Sequence, residues 1–115
     1  MFTVNTSHVI TALYGRKLGC VFVEEAVQNP AIKEKIGAVI GEVGPWLNLS
    51  PEQMAAKEQE ILRRFSSPIL DTLSRILPTG GQKSASRYLE IPLQGIRSTG
   101  LKAPIIEEAF SALNA

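Results

Sequence analysis

Apolar residues recur along this chain mainly at the spacing of an α-helix. The clearest run follows Pro30, where five apolar residues fall at i, i+4, i+7, i+8 and i+11: Ile32, Ile36, Val39, Ile40 and Val43. One face of a helix repeats at this interval, because an α-helix has about 3.6 residues per turn. The spacing predicts a helix from Pro30 that ends or kinks at Gly44-Pro45.

Six further helices are predicted by the same reasoning. Their ranges are 3–17, 21–28, 51 to the interruption at 67–68, 69–77, 82–97 with a kink near Pro92, and 104–113. The stretch S-P-E-Q at 50–53 is typical of a capping box, in which Ser50 and Gln53 satisfy each other's backbone N–H groups. The strongest loop signal is Pro78-Thr79-Gly80-Gly81.

These segments predict an all-α fold, an irregular bundle of about six or seven helices. Val21-Phe22-Val23 is too short to be a convincing strand, and no stretch alternates apolar and polar residues over strand length. The 115 residues are enough for one domain with a modest core. The 44% hydrophobic and 20% charged residues are ordinary for a globular protein.

Charge and composition narrow the classes of function. The 12 basic and 11 acidic residues leave a net charge of +1, which argues against binding to nucleic acid or to an anionic membrane surface. No apolar run reaches the roughly 18–20 residues of a membrane-spanning helix. One histidine and one cysteine cannot form a His/Cys metal site, and no glycine-rich nucleotide motif occurs. The single Cys20 and the absence of a signal-peptide pattern favour the cytoplasm.

Asn5 and His8 are the first candidates for chemistry. They stand at i and i+3 on the first predicted helix and therefore share a face. Ala12, one turn later, keeps that face small enough for a ligand to approach. An amide beside an imidazole can grip a substrate hydroxyl or carbonyl and orient a proton transfer. The alternative is that His8, near a terminus, is a surface or capping residue.

Arg75 and Lys83 are the second candidates. They flank the Gly80-Gly81 turn, where two cations could bind oxygen-rich or anionic groups. The alternative is that Arg75 interacts with the C-terminal dipole of its helix and that Lys83 is a solvated loop residue.

An ordered series of short motifs spans most of the chain. The series begins with MFTVNTSH at 1–8 and ALYG at 12–15 and continues with EEAVQNP at 24–30, ILRRFSSP at 61–68, DTLSR at 71–75 and GGQK at 80–83. In this order the motifs resemble the C-terminal domain of the mannitol dehydrogenase family. These long-chain polyol-specific enzymes include mannitol and mannitol-1-phosphate dehydrogenases and the hexuronate reductases.

The resemblance implies a function and two domains with separate roles. Residues 1–115 would be a single helical substrate domain, and an N-terminal Rossmann-like domain absent from this chain would bind NAD(H) or NADP(H). Hydride would pass between the nicotinamide and a polyol or keto-sugar, with a lysine as general acid/base. Asn5 and His8 would bind and orient the reacting oxygen, and Arg75 and Lys83 would contact substrate oxygens. No cofactor-binding residue is expected in this chain.

The chain departs from the family pattern in three places. The position of the family's lysine, five residues before Asn5, falls ahead of Met1. Lys17 cannot replace it, because it lies twelve residues after Asn5 on the same predicted helix, about 18 Å along it at 1.5 Å per residue. Ser67 stands where the family has Asn before Pro, and Thr79-Gly80-Gly81 stands where it has Asp-Gly-Ser.

These departures have two consequences for function. The loop resembles the non-phosphorylated or hexuronate branches more than the mannitol-1-phosphate branch. We also expect the isolated chain to be inactive. The alternative reading is a non-catalytic helical module, derived from such a domain, that serves assembly or protein binding.

Overall fold

The computed structural model describes residues 2–66 and 82–113, with side chains for residues 3–66 and 85–113. These residues form six helices and contain no β-strand: α1 Phe2–Lys17, α2 Val23–Val27, α3 Pro30–Trp46, α4 Pro51–Phe65, α5 Gln82–Ser98 and α6 Pro104–Leu113. The fold is therefore all-α, as the hydrophobic spacing predicts. The predicted helix over 69–77 and the predicted loop over 78–81 lie outside the described residues.

Helix α1 is the central element of the bundle. It packs against α2, α3 and α5, and nearly every side chain from Thr3 to Leu13 is buried. The exceptions are Val4, Asn5 and His8, which are partly exposed. A helix enclosed on almost all sides needs no single apolar stripe, which explains why α1 tolerates small polar residues in the core. None of the described helices is long and apolar enough to cross a membrane.

The predicted capping box at the start of α4 is confirmed. The backbone N–H of Gln53 donates to Ser50 Oγ at 3.1 Å, and the backbone N–H of Ser50 donates to Gln53 Oε1 at 2.8 Å. Helix α3 has a simpler cap with one bond, in which Asn29 Oδ1 accepts from the backbone N–H of Ala31 at 2.9 Å. The bonds from Gln53 and Ala31 satisfy backbone N–H groups that have no partner within their own helix, because they lie in its first turn.

Helix α3 does not end at Gly44-Pro45, one of the two outcomes predicted there. It continues through Gly44 and Pro45 to Trp46, because the carbonyl that Pro45 leaves without a donor belongs to the exposed Gly41 and can bond to water. The helix ends where Asn48 adopts a left-handed backbone with φ of 60°. The N–H of Leu49 then donates back to the Gly44 carbonyl at 2.8 Å, which completes a Schellman motif.

Helix α2 is shorter than predicted. The predicted stop of α1 at Gly19 is confirmed by its φ of 79°, but the next helix begins at Val23 instead of Val21. Phe22 is extended, and the backbone N–H of Val21 donates to Glu25 Oε1 at 2.9 Å. The glutamate thus holds the preceding residues outside the helix.

Helix α5 runs unbroken through Pro92. A proline has no N–H, so Pro92 cannot donate to the carbonyl of Tyr88 four residues earlier. The Thr6 hydroxyl of α1 takes that role, since Thr6 Oγ1 donates to the Tyr88 carbonyl at 2.7 Å. This bond between helices compensates for the proline and joins the first half of α1 to α5.

Glu42 of α3 caps the last helix from a distance. Its carboxylate oxygens accept from the backbone N–H groups of Ile105 at 2.9 Å and Ile106 at 3.0 Å, in the first turn of α6. Ala103, which precedes that helix, has no side-chain acceptor of its own. Burial raises the pKa of Glu42 above its ordinary value, and the two backbone donors partly offset that rise.

Candidate functional site

Asn5 and His8 lie one turn apart on α1, on the partly exposed side of a helix that is otherwise enclosed. The interval of three residues corresponds to about 4.5 Å along the helix axis. Ala12, on the same face one turn later, is fully buried. The expectation that Ala12 extends the ligand-accessible face is therefore wrong, and the accessible part of this face ends near His8.

His8 is held by an aromatic contact with the end of α4. Its imidazole stacks on the ring of Phe65, with centroids 4.1 Å apart and planes 5° from parallel. Phe65 is 5% exposed and belongs to the hydrophobic core. The contact orients an imidazole that has a polar edge and a stacked face.

Thr6 joins the same turn of α1 to α5. Its hydroxyl bond to the Tyr88 carbonyl ties the residue next to Asn5 to the N-terminal half of α5. The first turn of α5 contains Lys83, whose side chain lies outside the described ones. Arg75 lies outside the described residues altogether. The structure thus places Asn5 and His8 together on one helix face.

A second polar cluster lies at the other end of α1. The Tyr14 hydroxyl donates to Glu108 Oε1 at 2.9 Å, and Lys35 Nζ lies 4.3 Å from the centre of the Tyr14 ring. Lys35 Nζ is also 3.8 Å from the Glu108 carboxylate. Burial, helped by the bond to Glu108, raises the pKa of Tyr14 to about 12. Tyr14 is six residues, or about 9 Å, beyond His8, and its partners fasten α3 and α6 to α1.

Two contacts of the helix turn that carries Asn5 and His8 join distant parts of the chain. Phe65 stacks on His8, and this contact between α1 and α4 joins residues 57 positions apart along the chain, a distance that helical spacing does not predict. One feature of the sequence could have indicated the Thr6 bond: Pro92 has no N–H, so it cannot donate to the Tyr88 carbonyl.

Among the residues that the structure describes, no group of three His, Cys, Asp or Glu side chains could hold a metal ion.

The comparisons with known proteins agree on one family. The model of the mannitol dehydrogenase C-terminal domain matches residues 1–110. The chain is also similar to the mannitol-1-phosphate 5-dehydrogenases of Streptococcus pneumoniae strains Hungary19A-6 and CGSP14, with 33% identity over 84 residues in each case. Each match covers 69% of this chain and 22% of the relative, so the chain spans about a fifth of the length of these enzymes. The chain therefore belongs to the family of mannitol dehydrogenase C-terminal domains.

Proposed function

We propose that this chain is the substrate domain of an NAD(P)-dependent oxidoreductase that interconverts a polyol or hexonate and its keto form. The observation that carries the proposal is the pairing of Asn5 and His8 on the partly exposed face of α1, in a chain that belongs to this family. The similar proteins are named mannitol-1-phosphate 5-dehydrogenases, which supports oxidation and reduction of a sugar alcohol as the reaction class.

Asn5 and His8 would act on the reacting oxygen. The Asn5 amide can donate one hydrogen bond and accept another, and the imidazole can donate from one ring nitrogen and accept at the other. Two such groups one helical turn apart can bind one hydroxyl or carbonyl oxygen and fix its direction. We assign Arg75 and Lys83 to other substrate oxygens, because cations suit hydroxyl-rich or carboxylate-bearing sugars.

The nicotinamide cofactor would be bound by a separate N-terminal domain. A dinucleotide site needs a strand followed by a glycine-rich turn and a helix. The described residues form six helices and no β-strand, so we assign the dinucleotide site to another domain. The partners that follow from this are the nucleotide-binding domain and a small polyol or keto-sugar.

The identity of the sugar is a separate question. The Gly80-Gly81-Gln82-Lys83 stretch favours a non-phosphorylated or hexuronate substrate, whereas the relatives above are mannitol-1-phosphate enzymes. Turnover should therefore be compared directly on mannitol, mannitol-1-phosphate and a hexonate. The preferred substrate is the one with the highest kcat/KM.

The test joins this chain to a nucleotide-binding domain of the family and measures NAD(P)H-linked turnover. We expect His8→Ala and Asn5→Ala each to lower kcat/KM by about 10²-fold, which is typical for loss of a group that assists proton transfer. Lys33→Ala, an exposed change on α3, is the control and should leave turnover unchanged. Full activity of both the His8 and the Asn5 variant would refute the proposal.

A further inference from the structure

The stacking of His8 on Phe65 is more specific than ordinary core packing. Aromatic pairs in proteins adopt either offset-stacked or edge-to-face arrangements, and here the planes are only 5° apart at a centroid distance of 4.1 Å. The two rings come from different helices, α1 and α4. Their relative orientation is therefore set by how those helices pack and not by local sequence.

Phe65 is well suited to hold another ring in place. It is the last residue of α4 and is 5% exposed, so its own ring is confined by the core. Ile61, one turn earlier, is the other buried residue of α4, and most of the remaining α4 side chains are partly or fully exposed. The helix thus buries two side chains, and one of the two lies flat against the imidazole.

The stacked face has a consequence for chemistry. Both ring nitrogens of an imidazole donate or accept in the plane of the ring. Rotation of the His8 ring about its Cβ–Cγ bond would tilt it out of the parallel arrangement with Phe65. The contact therefore restricts that rotation and fixes the plane in which the nitrogens meet a ligand oxygen.

We propose that Phe65 is a positioning residue for the reaction, acting through the plane of the His8 imidazole. The inference rests on the proposed function of His8 and adds the element that orients it. Displacement of a binding group by about 1 Å can lower a rate by about 10²-fold. Loss of the Phe65 ring should therefore reduce kcat far more than it changes KM.

The first test is spectroscopic and needs no catalysis. His8 is the single histidine of the chain, so its ring protons give one resolvable set of NMR signals. We expect these signals upfield of those in an unfolded peptide, with cross-relaxation to the Phe65 ring. Phe65→Leu should move them downfield, and Ile61→Val, which changes the same helix without removing the stacked ring, should not. Absence of the upfield shift and of the cross-relaxation in the unmodified chain would overturn the inference.

The second test is kinetic and uses the chain joined to its nucleotide-binding domain, at a temperature where every variant is folded. Phe65→Leu should lower kcat by about 10- to 100-fold with a smaller change in KM. Phe65→Tyr, which keeps a stacking ring, should restore most of the rate, and Ile61→Val should retain it. Equal losses of kcat in Phe65→Leu and Ile61→Val would show that Phe65 has only a structural role.

The outcomes separate this inference from the proposed function. If His8→Ala abolishes turnover while Phe65→Leu does not alter it, His8 keeps its role and the positioning role of Phe65 is wrong. If neither variant affects turnover, the proposed function of His8 itself fails. The expected result is a loss in both, with rescue by Phe65→Tyr.

Discussion

The bond between Thr6 and the Tyr88 carbonyl gives a sharp test of how this bundle is held together. Pro92 removes the helical donor for that carbonyl, and Thr6 Oγ1 replaces it at 2.7 Å. Thr6→Val keeps the size and branching of the side chain but removes the hydroxyl. The Tyr88 carbonyl then loses the Thr6 donor at a partly buried position.

The expected cost follows from the desolvation of that carbonyl. A buried polar group that loses its partner costs about 1–3 kcal/mol, and the partly buried position of this bond places the value at about 1–2 kcal/mol. Pro92→Ala supplies a backbone N–H that can donate to the Tyr88 carbonyl. In that background we expect Thr6→Val to cost less than about 0.5 kcal/mol, so the coupling energy is about 1 kcal/mol, within the range found for residues that share a network.

The assay is equilibrium unfolding in urea, followed by far-UV circular dichroism, on both single variants and the double variant. Thr11→Val is the matched control. Thr11 is fully buried on the same helix, and its hydroxyl donates at 2.8 Å to the Ser7 carbonyl, which already accepts the helical N–H of residue 11. Its removal should cost little and should not couple to Pro92. An equal cost of Thr6→Val with and without the proline would refute the reasoning.

Four further predictions concern packing, charge and capping. Gly95→Ala places a Cβ against the rigid Trp46 indole and should destabilise the fold by about 1–3 kcal/mol, visible also in Trp46 fluorescence. Gly41→Ala, with open space around it, should instead stabilise by about 0.5–1 kcal/mol. Because folding raises the pKa of Tyr14 from 10.0 to about 12, its stabilisation is complete below pH 10 and is lost as the pH rises to 12; Tyr14→Phe should lack this loss in alkaline unfolding. Glu42→Gln leaves one acceptor oxygen for two N–H groups and should lower the unfolding free energy by about 1–2 kcal/mol in thermal melts.

The helices that the structure describes could largely be predicted from local sequence. The apolar spacing after Pro30 and the capping box at Ser50 depend on residues within a few positions of each other, and both predictions are confirmed. Of the two outcomes predicted at Gly44-Pro45, an end or a kink, the end is wrong, because α3 continues to Trp46. A proline near a helix end costs little when the carbonyl it leaves free faces water, and that exposure is a property of the folded molecule.

Part of the candidate site could also be predicted from local sequence. The sequence placed Asn5 and His8 on one helix face, since a spacing of three residues is enough for that. It also placed Arg75 and Lys83 beside the glycine turn, and their roles remain predictions. The roles of Asn5 and His8 are also predictions, and membership of the family supports them.

Local sequence is enough to predict most of the helices, the capping box at Ser50 and the helical face that carries Asn5 and His8, because all of these arise from interactions along a few turns of one chain segment. The packing of the helices determines which distant residues contact them. Phe65 meets His8, Thr6 serves a carbonyl 82 positions away, and Glu42 caps a helix that begins beyond residue 100. Helical periodicity states which side of a helix is buried but not which helix covers it, so these partners appear only when the bundle is packed.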